Sequence, residues 1–114
     1  MMTIEPVVSQ IAKCYGVDAA LIQAVVQAEG GGDAILKAVR CSIPNLVDRE
    51  AAIRVTCRSA LHALYDFYFK AGGGTQAQFV EYWAARWAPK GATNDPGSLN
   101  QNWPANVTAL WIGK

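Results

Sequence analysis

Apolar side chains recur along the chain at intervals of three and four residues, which is the spacing of an amphipathic α-helix. Glycine and proline residues interrupt this pattern and separate six predicted helices. These helices begin near Pro6, Asp18, Asp33, Asp48, Thr75 and Asn102, and the first five end near Gly16, Gly30, Cys41, Ala71 and Pro89. No stretch alternates convincingly between apolar and polar residues as a half-buried strand does, so the pattern predicts an all-α fold.

The fourth helix is the longest, and its apolar positions predict which of its faces is buried. We expect a buried face made of Ile53, Cys57, Ala60, Leu61, Leu64, Phe67 and Tyr68. Arg58, His62 and Asp66 recur every four residues on the predicted solvent face. His62 is therefore interpreted as a solvated side chain and not as a catalytic base. At the fifth helix, Thr75 and Gln78 predict a capping box. Asn102 is the expected cap of the sixth.

One acidic residue departs from the hydrophobic pattern of the second helix. With Leu21 set at 0° and about 100° per residue, Val25 lies at about 40° and Glu29 at about 80°, within the apolar stripe. Gln23 and Gln27 lie at about 200° and 240°, on the opposite side. Loss of hydration on an apolar stripe favours a protonated carboxyl group, which is what a general acid requires. The alternative is a glutamate at the surface end of the stripe, paired with an arginine.

Composition limits the classes of protein to which the chain can belong. Its 114 residues, 52% of them hydrophobic and 17% charged, predict one domain over residues 1–114. A net charge of +1 without a basic face argues against nucleic acid as the main partner. No apolar run approaches the roughly 20 residues that span a bilayer. No basic segment precedes an apolar one at the N-terminus, so we expect no secretory signal peptide.

The three cysteines, Cys14, Cys41 and Cys57, allow at most one disulfide bond. No histidine lies beside them at the spacing of a zinc site, so we expect neither a metal site nor a cofactor. We expect instead that the three side chains are buried free thiols that pack as small hydrophobic groups.

Two stretches of the chain resemble a known family. Residues 15–31, YGVDAALIQAVVQAEGG, are similar to the first motif of the lysozyme-like superfamily, whose helix ends in a catalytic glutamate. The soluble lytic transglycosylases and small phage muralytic domains are the nearest in pattern. Residues 86–96, RWAPKGATNDP, and 102–107, NWPANV, resemble more loosely the late aromatic-Asn-Gly loop and closing helix of that family. The resemblance implies a lysozyme-like fold of about six helices and cleavage of peptidoglycan, with Glu29 as the catalytic acid.

The middle of the chain departs from the family pattern. Lytic transglycosylases usually carry serine directly after the catalytic glutamate, where this chain has Gly30. Their Gly-Leu-Met-Gln segment has its nearest equivalent in residues 38–44, AVRCSIP, which share only the proline convincingly. Two other functions therefore stay open. One is a catalytically inactive, lysozyme-like virion structural or cell-wall-binding protein, and the other is a helical interaction module.

The chemistry implied by the resemblance suggests further site residues. A hydrolase normally needs a second carboxylate, for which Asp95 is the candidate, although Asn-Asp-Pro-Gly also favours a simple turn. A lytic transglycosylase needs only one acid, because the C6 hydroxyl of the muramoyl sugar attacks internally. The candidate substrate-binding residues are Gly30, Gly31, Ser42, Trp87, Asn94, Trp103 and Asn106. Each has a plainer alternative: helix termination for the glycines, an exposed helix end for Ser42, core packing for the tryptophans, and a solvated helix face for Asn106.

The resemblance also implies partners and a location. The expected partners are peptidoglycan glycan strands and, in a virion, other virion proteins. Without a signal peptide, we expect the protein to reach the cell wall within a phage virion or through another delivery system.

Overall fold

The structure, a computed structural model, describes residues 2–89 and 99–113. Within those ranges there are six α-helices and no strand. The helices are α1 (Pro6–Tyr15), α2 (Ala19–Ala28), α3 (Ala34–Arg40), α4 (Arg49–Phe69), α5 (Gln76–Trp87) and α6 (Trp103–Ile112), and a short 3-10 helix, Leu99–Asn102, leads into α6. The predicted all-α class is therefore confirmed.

Local sequence signals account for most of the helix ends. The Asp18 carboxylate accepts the backbone N–H of Ala20 at 2.9 Å at the start of α2, and Asp48 accepts that of Ala51 at 2.9 Å at the start of α4. The capping box of α5 is present, with both Thr75 and Gln78 taking part. These bonds satisfy N–H groups that have no partner within their own helix.

The prediction that Asn102 caps α6 is wrong. Its side chain makes no capping bond, and its backbone is already helical, with φ −94° and ψ −9°. The 3-10 helix runs directly into α6, so no extended capping residue separates the two segments.

Helix α2 lies at the centre of the fold. It packs against α6, α1 and α4, while α5 packs against α4 and α6, and α3 against α4. Leu21, Ile22, Val25 and Val26 are fully or almost fully buried in the single core. The helices form one globule of 36 × 33 × 27 Å.

Gln23 is also buried, with only 1% of its surface exposed, although the helical pattern placed it opposite the apolar stripe. The prediction failed because α2 has neighbours on several sides. The buried amide is satisfied by Glu5: its Oε1 accepts the Glu5 backbone N–H at 2.9 Å, and its Nε2 donates to Glu5 Oε2 at 3.0 Å. Hydrogen bonding offsets the cost of burying the amide.

Part of the predicted buried face of α4 is wrong. Leu61 is 40% exposed and Tyr68 is 54% exposed. The buried side is instead centred on Ala60, Ala63 and Phe67, and Leu61 and Tyr68 lie about 100–120° around the helix from its centre. On that side, Phe67 packs against the Phe79 and Tyr82 rings of α5. The solvent-facing assignment of His62 agrees with its exposed position.

The expectation of three buried thiols is wrong for two of them. All three cysteines are free, but only Cys57 is buried, whereas Cys14 and Cys41 are exposed. Cys14 lies on the outer side of α1, and Cys41 directly follows the short helix α3. Burial removes solvent from the Cys57 thiol and raises its pKa to about 11.

Candidate active site

Glu29 directly follows the last helical residue of α2 and is half-buried. Its backbone remains near the helical region, with φ −78° and ψ −9°, and its N–H donates to the Val25 carbonyl at 3.0 Å. The chain then leaves the helix through Gly30 and Gly31, whose φ angles of 119° and 72° are positive. A side chain at such angles would be strained, so these glycines fix the point at which α2 ends. The Glu29 carboxyl group is thus fixed at the end of the central helix.

Two tryptophans hold one oxygen of this carboxyl group. Trp87, the last residue of α5, donates its indole Nε1–H to Glu29 Oε2 at 3.1 Å. Trp103, the first residue of α6, donates its Nε1–H to the same oxygen, also at 3.1 Å. No described residue donates to Oε1. The two indoles orient the carboxyl group, and its second oxygen has no protein donor within the described ranges.

A third tryptophan supports these two indoles from behind. Trp83 is fully buried, and its ring centroid lies 5.7 Å from that of Trp87 and 5.5 Å from that of Trp103. The Trp83 Nε1–H donates to Ser59 Oγ at 2.9 Å. Tilted and edge-to-face rings at these distances attract one another beyond their area burial. The indoles that contact Glu29 are therefore braced by the core.

Glu29 lines an open groove with a volume of about 520 Å³. One wall comes from the end of α3 and the residues after it, namely Val39, Cys41, Ser42 and Ile43. The floor includes Val55 and Ser59 of α4, and the other wall includes Arg86, Trp87 and Pro89 at the end of α5. Both polar and apolar side chains line this groove, and a concave surface with a few placed polar groups is typical of a ligand site. A smaller cavity of about 330 Å³ lies beside α5 and Pro104, and Glu29 does not line it.

The structure brings together only some of the predicted site residues. Ser42 and Trp87 line the groove with Glu29, and Trp103 contacts Glu29 from a buried position with 4% exposure. Trp87 and Trp103 thus belong both to the core and to the site. Gly30 and Gly31 lie next to Glu29 but are not part of the groove lining.

Other predicted site residues lie elsewhere. Asn106 is exposed on α6 and does not line the groove, which agrees with the alternative of a solvated helix face. Asn94 and Asp95 lie outside the described residues, and so does the predicted turn that contains them.

Sequence reasoning missed several groove residues. No feature of the sequence indicated Ser59. Arg86 stood out only as the first residue of the stretch 86–96, which resembles the lysozyme-like family. Cys41 was assigned to the core. The one signal in the sequence for Arg86 as a groove residue was its position directly before Trp87, a predicted substrate-binding residue. Nothing in the pattern of α4 indicates that Val55 and Ser59, one turn apart, face a groove.

The arrangement suits proton exchange with a bound ligand. A half-buried carboxyl group lines an open groove, with Oε2 fixed by two N–H donors and Oε1 without a donor from the described residues. Such a group can donate a proton to a ligand oxygen or accept one from it.

In the described parts of the chain, no group of three or more histidine, cysteine, aspartate or glutamate side chains is placed to hold a metal ion. None of the helices in residues 2–89 and 99–113 is both long and apolar enough to cross a bilayer.

Comparisons with protein-family models, with curated proteins and with solved structures find no match to this chain.

Proposed function

We propose that the protein cleaves the β-1,4 glycosidic bonds of peptidoglycan glycan strands, as a lytic transglycosylase or a muramidase with a lysozyme-like fold. The observation that carries the proposal is the position of Glu29, half-buried in the wall of an open groove and oriented by two indole N–H groups. The similarity of residues 15–31 to the lysozyme-like motif supports the same residue. Other virion proteins are partners under this proposal, and a virion or another delivery system brings the protein to the wall.

Glu29 acts first as an acid and then as a base. Its carboxyl group donates a proton to the bridging oxygen as the bond from that oxygen to C1 of the muramoyl sugar breaks. In the transglycosylase route the C6 hydroxyl of the same sugar then attacks C1 and transfers its proton to Glu29. The products are a 1,6-anhydro end and a free 4-hydroxyl, and Glu29 regains its acid form. In the muramidase route water replaces the C6 hydroxyl, and Asp95 is the proposed second carboxylate.

The decisive variant is Glu29→Gln, which keeps the shape of the side chain and removes its exchangeable acidic proton. We expect purified wild-type protein to clear a suspension of sacculi and Glu29→Gln to lose about 100-fold or more of the rate, as is typical for a general acid. Glu50→Gln is the matched control, because Glu50 is an exposed residue of α4 whose one ion-pair partner within residues 2–89 and 99–113 is Arg54, at 3.7 Å. Equal clearing rates for the Glu29 variant and the wild type would exclude the proposed acid.

Product analysis separates the two routes. Mass spectrometry of digested sacculi in ¹⁸O-labelled water is expected to show anhydro ends without label for a transglycosylase. Reducing ends that carry one labelled oxygen identify a muramidase.

A wall-binding protein without catalysis is the second candidate, and Gly30 favours it. Lytic transglycosylases carry serine at this position, but the φ of 119° at Gly30 is one that serine rarely adopts. The backbone directly after Glu29 therefore differs from the family pattern. This candidate predicts that the protein sediments with sacculi and releases no product, and that Glu29→Gln sediments equally well.

A further inference from the structure

Two charged side chains, one of each sign, line the groove within the described residues: Glu29 and Arg86. Arg86 lies on α5 directly before Trp87, whose indole holds Glu29. A positive charge in the groove has no role in protonating a glycosidic oxygen. The presence of Arg86 in the groove therefore needs an explanation other than the proposed acid chemistry of Glu29.

The Arg86 guanidinium is held at one of its three nitrogens. Its Nη2 donates to Asp66 Oδ2 at 2.8 Å and to Tyr82 Oη at 2.9 Å, and the group lies 4.9 Å from the centroid of the Tyr82 ring. Nε and Nη1 have no acceptor among the described residues. The side chain is 45% exposed. A guanidinium with a fixed plane and a remaining N–H group can form a charge-assisted hydrogen bond with a carboxylate.

Asp66, the ion-pair partner of Arg86, is shared with a second cation. Asp66 pairs with Arg86 and also with Lys70, at 3.4 Å, so two cations share one carboxylate. The hydrogen bond from Arg86 is the main cause of the lowered pKa of Asp66, which stays ionised and keeps the guanidinium oriented. Asp66 therefore neutralises the Arg86 guanidinium only in part.

We infer that Arg86 binds a carboxylate of the substrate and so selects acidic, muramoyl-containing glycan over neutral glycan. This inference rests on the proposed function. The N-acetylglucosamine units of a glycan strand are neutral, and the carboxylates of peptidoglycan lie on its peptide stems or on the lactyl ether from which the stems are removed. Arg86 is thus a specificity residue at the groove that contains Glu29.

Binding measured in a Glu29→Gln background tests the inference without turnover. Three probes separate the sources of carboxylate: intact sacculi, glycan strands stripped of their stems by an amidase, and chitohexaose, which has no carboxylate. We expect Arg86→Gln to weaken binding about tenfold for sacculi, for stripped strands, or for both, and to leave chitohexaose unchanged. A loss confined to sacculi identifies the stem carboxylates, and a loss confined to stripped strands identifies the lactyl group.

Two control variants separate recognition from folding. Arg86→Lys keeps the charge but not the fixed plane of the guanidinium N–H groups, so we expect it to restore part of the affinity. Arg58→Gln removes an exposed positive charge from the outer face of α4 and is expected to bind all three probes like the parent. Thermal unfolding of each variant shows whether Asp66, left without Arg86, disturbs the fold.

Either of two results overturns the inference: an equal loss of affinity for all three probes, or no loss for any of them. Both are separable from a failure of the proposed function. If the wild type releases products but Arg86→Gln binds all three probes normally, the proposed enzymatic function is supported and the proposed carboxylate site is excluded. If the wild type releases no product but Arg86→Gln weakens binding of acidic glycan, the carboxylate site is supported and the protein is a wall-binding protein without catalysis.

Discussion

Glu29 Oε2 accepts hydrogen bonds from two indole N–H groups that come from different helices. Trp87 is half-buried and lines the groove, whereas Trp103 is buried behind it. Two donors that converge on one oxygen restrict rotation of the carboxyl group and leave its second oxygen for the ligand. We therefore interpret both tryptophans as positioning residues, which act on the reaction through Glu29.

Trp87→Phe tests this role, because it removes the N–H donor and keeps an aromatic ring. A hydrogen bond to a charged group contributes about 1.5–3 kcal/mol. If roughly 1.4 kcal/mol of that contributes to orienting Glu29 in the transition state, kcat falls about tenfold. We expect this loss in kcat, with KM for soluble glycan fragments changed less than twofold.

Trp111→Phe is the matched control for this variant. The Trp111 indole also donates to a carboxylate, Asp18 Oδ2 at 3.0 Å, but Trp111 does not line the groove. We expect Trp111→Phe to lower stability by about 1 kcal/mol and to leave kcat unchanged. Equal losses of kcat in the two variants would mean that the Trp87 effect is only structural.

The sequence predicted one half of this site and not the other. Glu29 was recognisable because the helical wheel of α2, continued by one residue, places an acid on an apolar stripe. The contacts to Trp87 and Trp103 span 58 and 74 residues of chain. No local pattern encodes which side chains meet across such separations, so the resemblance indicated both tryptophans but not their shared oxygen.

At the level of elements, a polar cluster joins the start of α1, the middle of α2 and the start of α4. Arg49 Nη2 donates to Glu5 Oε2 at 2.7 Å, and the same Glu5 oxygen accepts from Gln23 Nε2 at 3.0 Å. Arg49 Nε also donates to the Gly32 carbonyl. The cluster thus ties the glycine segment after Glu29 to two other helices and supports the backbone that carries the carboxyl group.

This cluster predicts a pH dependence of stability. The hydrogen bond from Arg49 lowers the pKa of Glu5 from its ordinary value of 4.5, so the folded protein binds the Glu5 proton less readily than the unfolded chain. The stabilisation is fully present above pH 4.5 and is lost as the pH falls through the lowered folded value. We expect wild type to exceed Glu5→Gln in unfolding free energy at about pH 7 and the difference to shrink towards about pH 3.

Urea denaturation at a series of pH values measures that difference. Glu81→Gln makes the same substitution at an exposed position of α5 and controls for the loss of a carboxylate outside the cluster. If the difference in unfolding free energy between wild type and Glu5→Gln stays constant down to about pH 3, that result would contradict the ion pair between Arg49 and Glu5.

Helix ends were easier to predict than helix faces, for a physical reason. An end depends on neighbours in sequence, such as Asp48 with Ala51 or Thr75 with Gln78. A face depends on which helices lie beside it. Gln23 is buried because α2 is central, and Leu61 is exposed because it lies about 100–120° around α4 from the centre of the buried side of that helix.

On the scale of the whole molecule, the one core and the groove use overlapping sets of side chains. Trp83 packs inside the core and braces the two indoles that contact Glu29. Cys57 of α4 is fully buried, while Val55 and Ser59 of the same helix line the groove. Because one helix serves both, the orientation of the groove walls depends on the integrity of the core.

The three thiols report on that core without any change to the sequence. Cys14 and Cys41 are exposed, whereas Cys57 is buried and burial raises its pKa to about 11. At about pH 8, near the ordinary pKa of a thiol, an aromatic disulfide reagent should therefore modify two thiols quickly. The unfolding free energy of a single-domain protein is about 5–15 kcal/mol. Because the reagent reaches a buried thiol only when the core opens, we expect Cys57 to react at least about a thousandfold more slowly than the two exposed thiols.

Cys14→Ser and Cys41→Ser assign the fast phases, and each variant should lose one of them. In mild urea the slow phase should accelerate in step with global unfolding, since Cys57 becomes accessible only when α4 separates from its neighbours. Three thiols that react at similar rates in native buffer would show that this core opens readily. A core of that kind could not hold the indoles of Trp87 and Trp103 on Glu29, and the proposed positioning would fail with it.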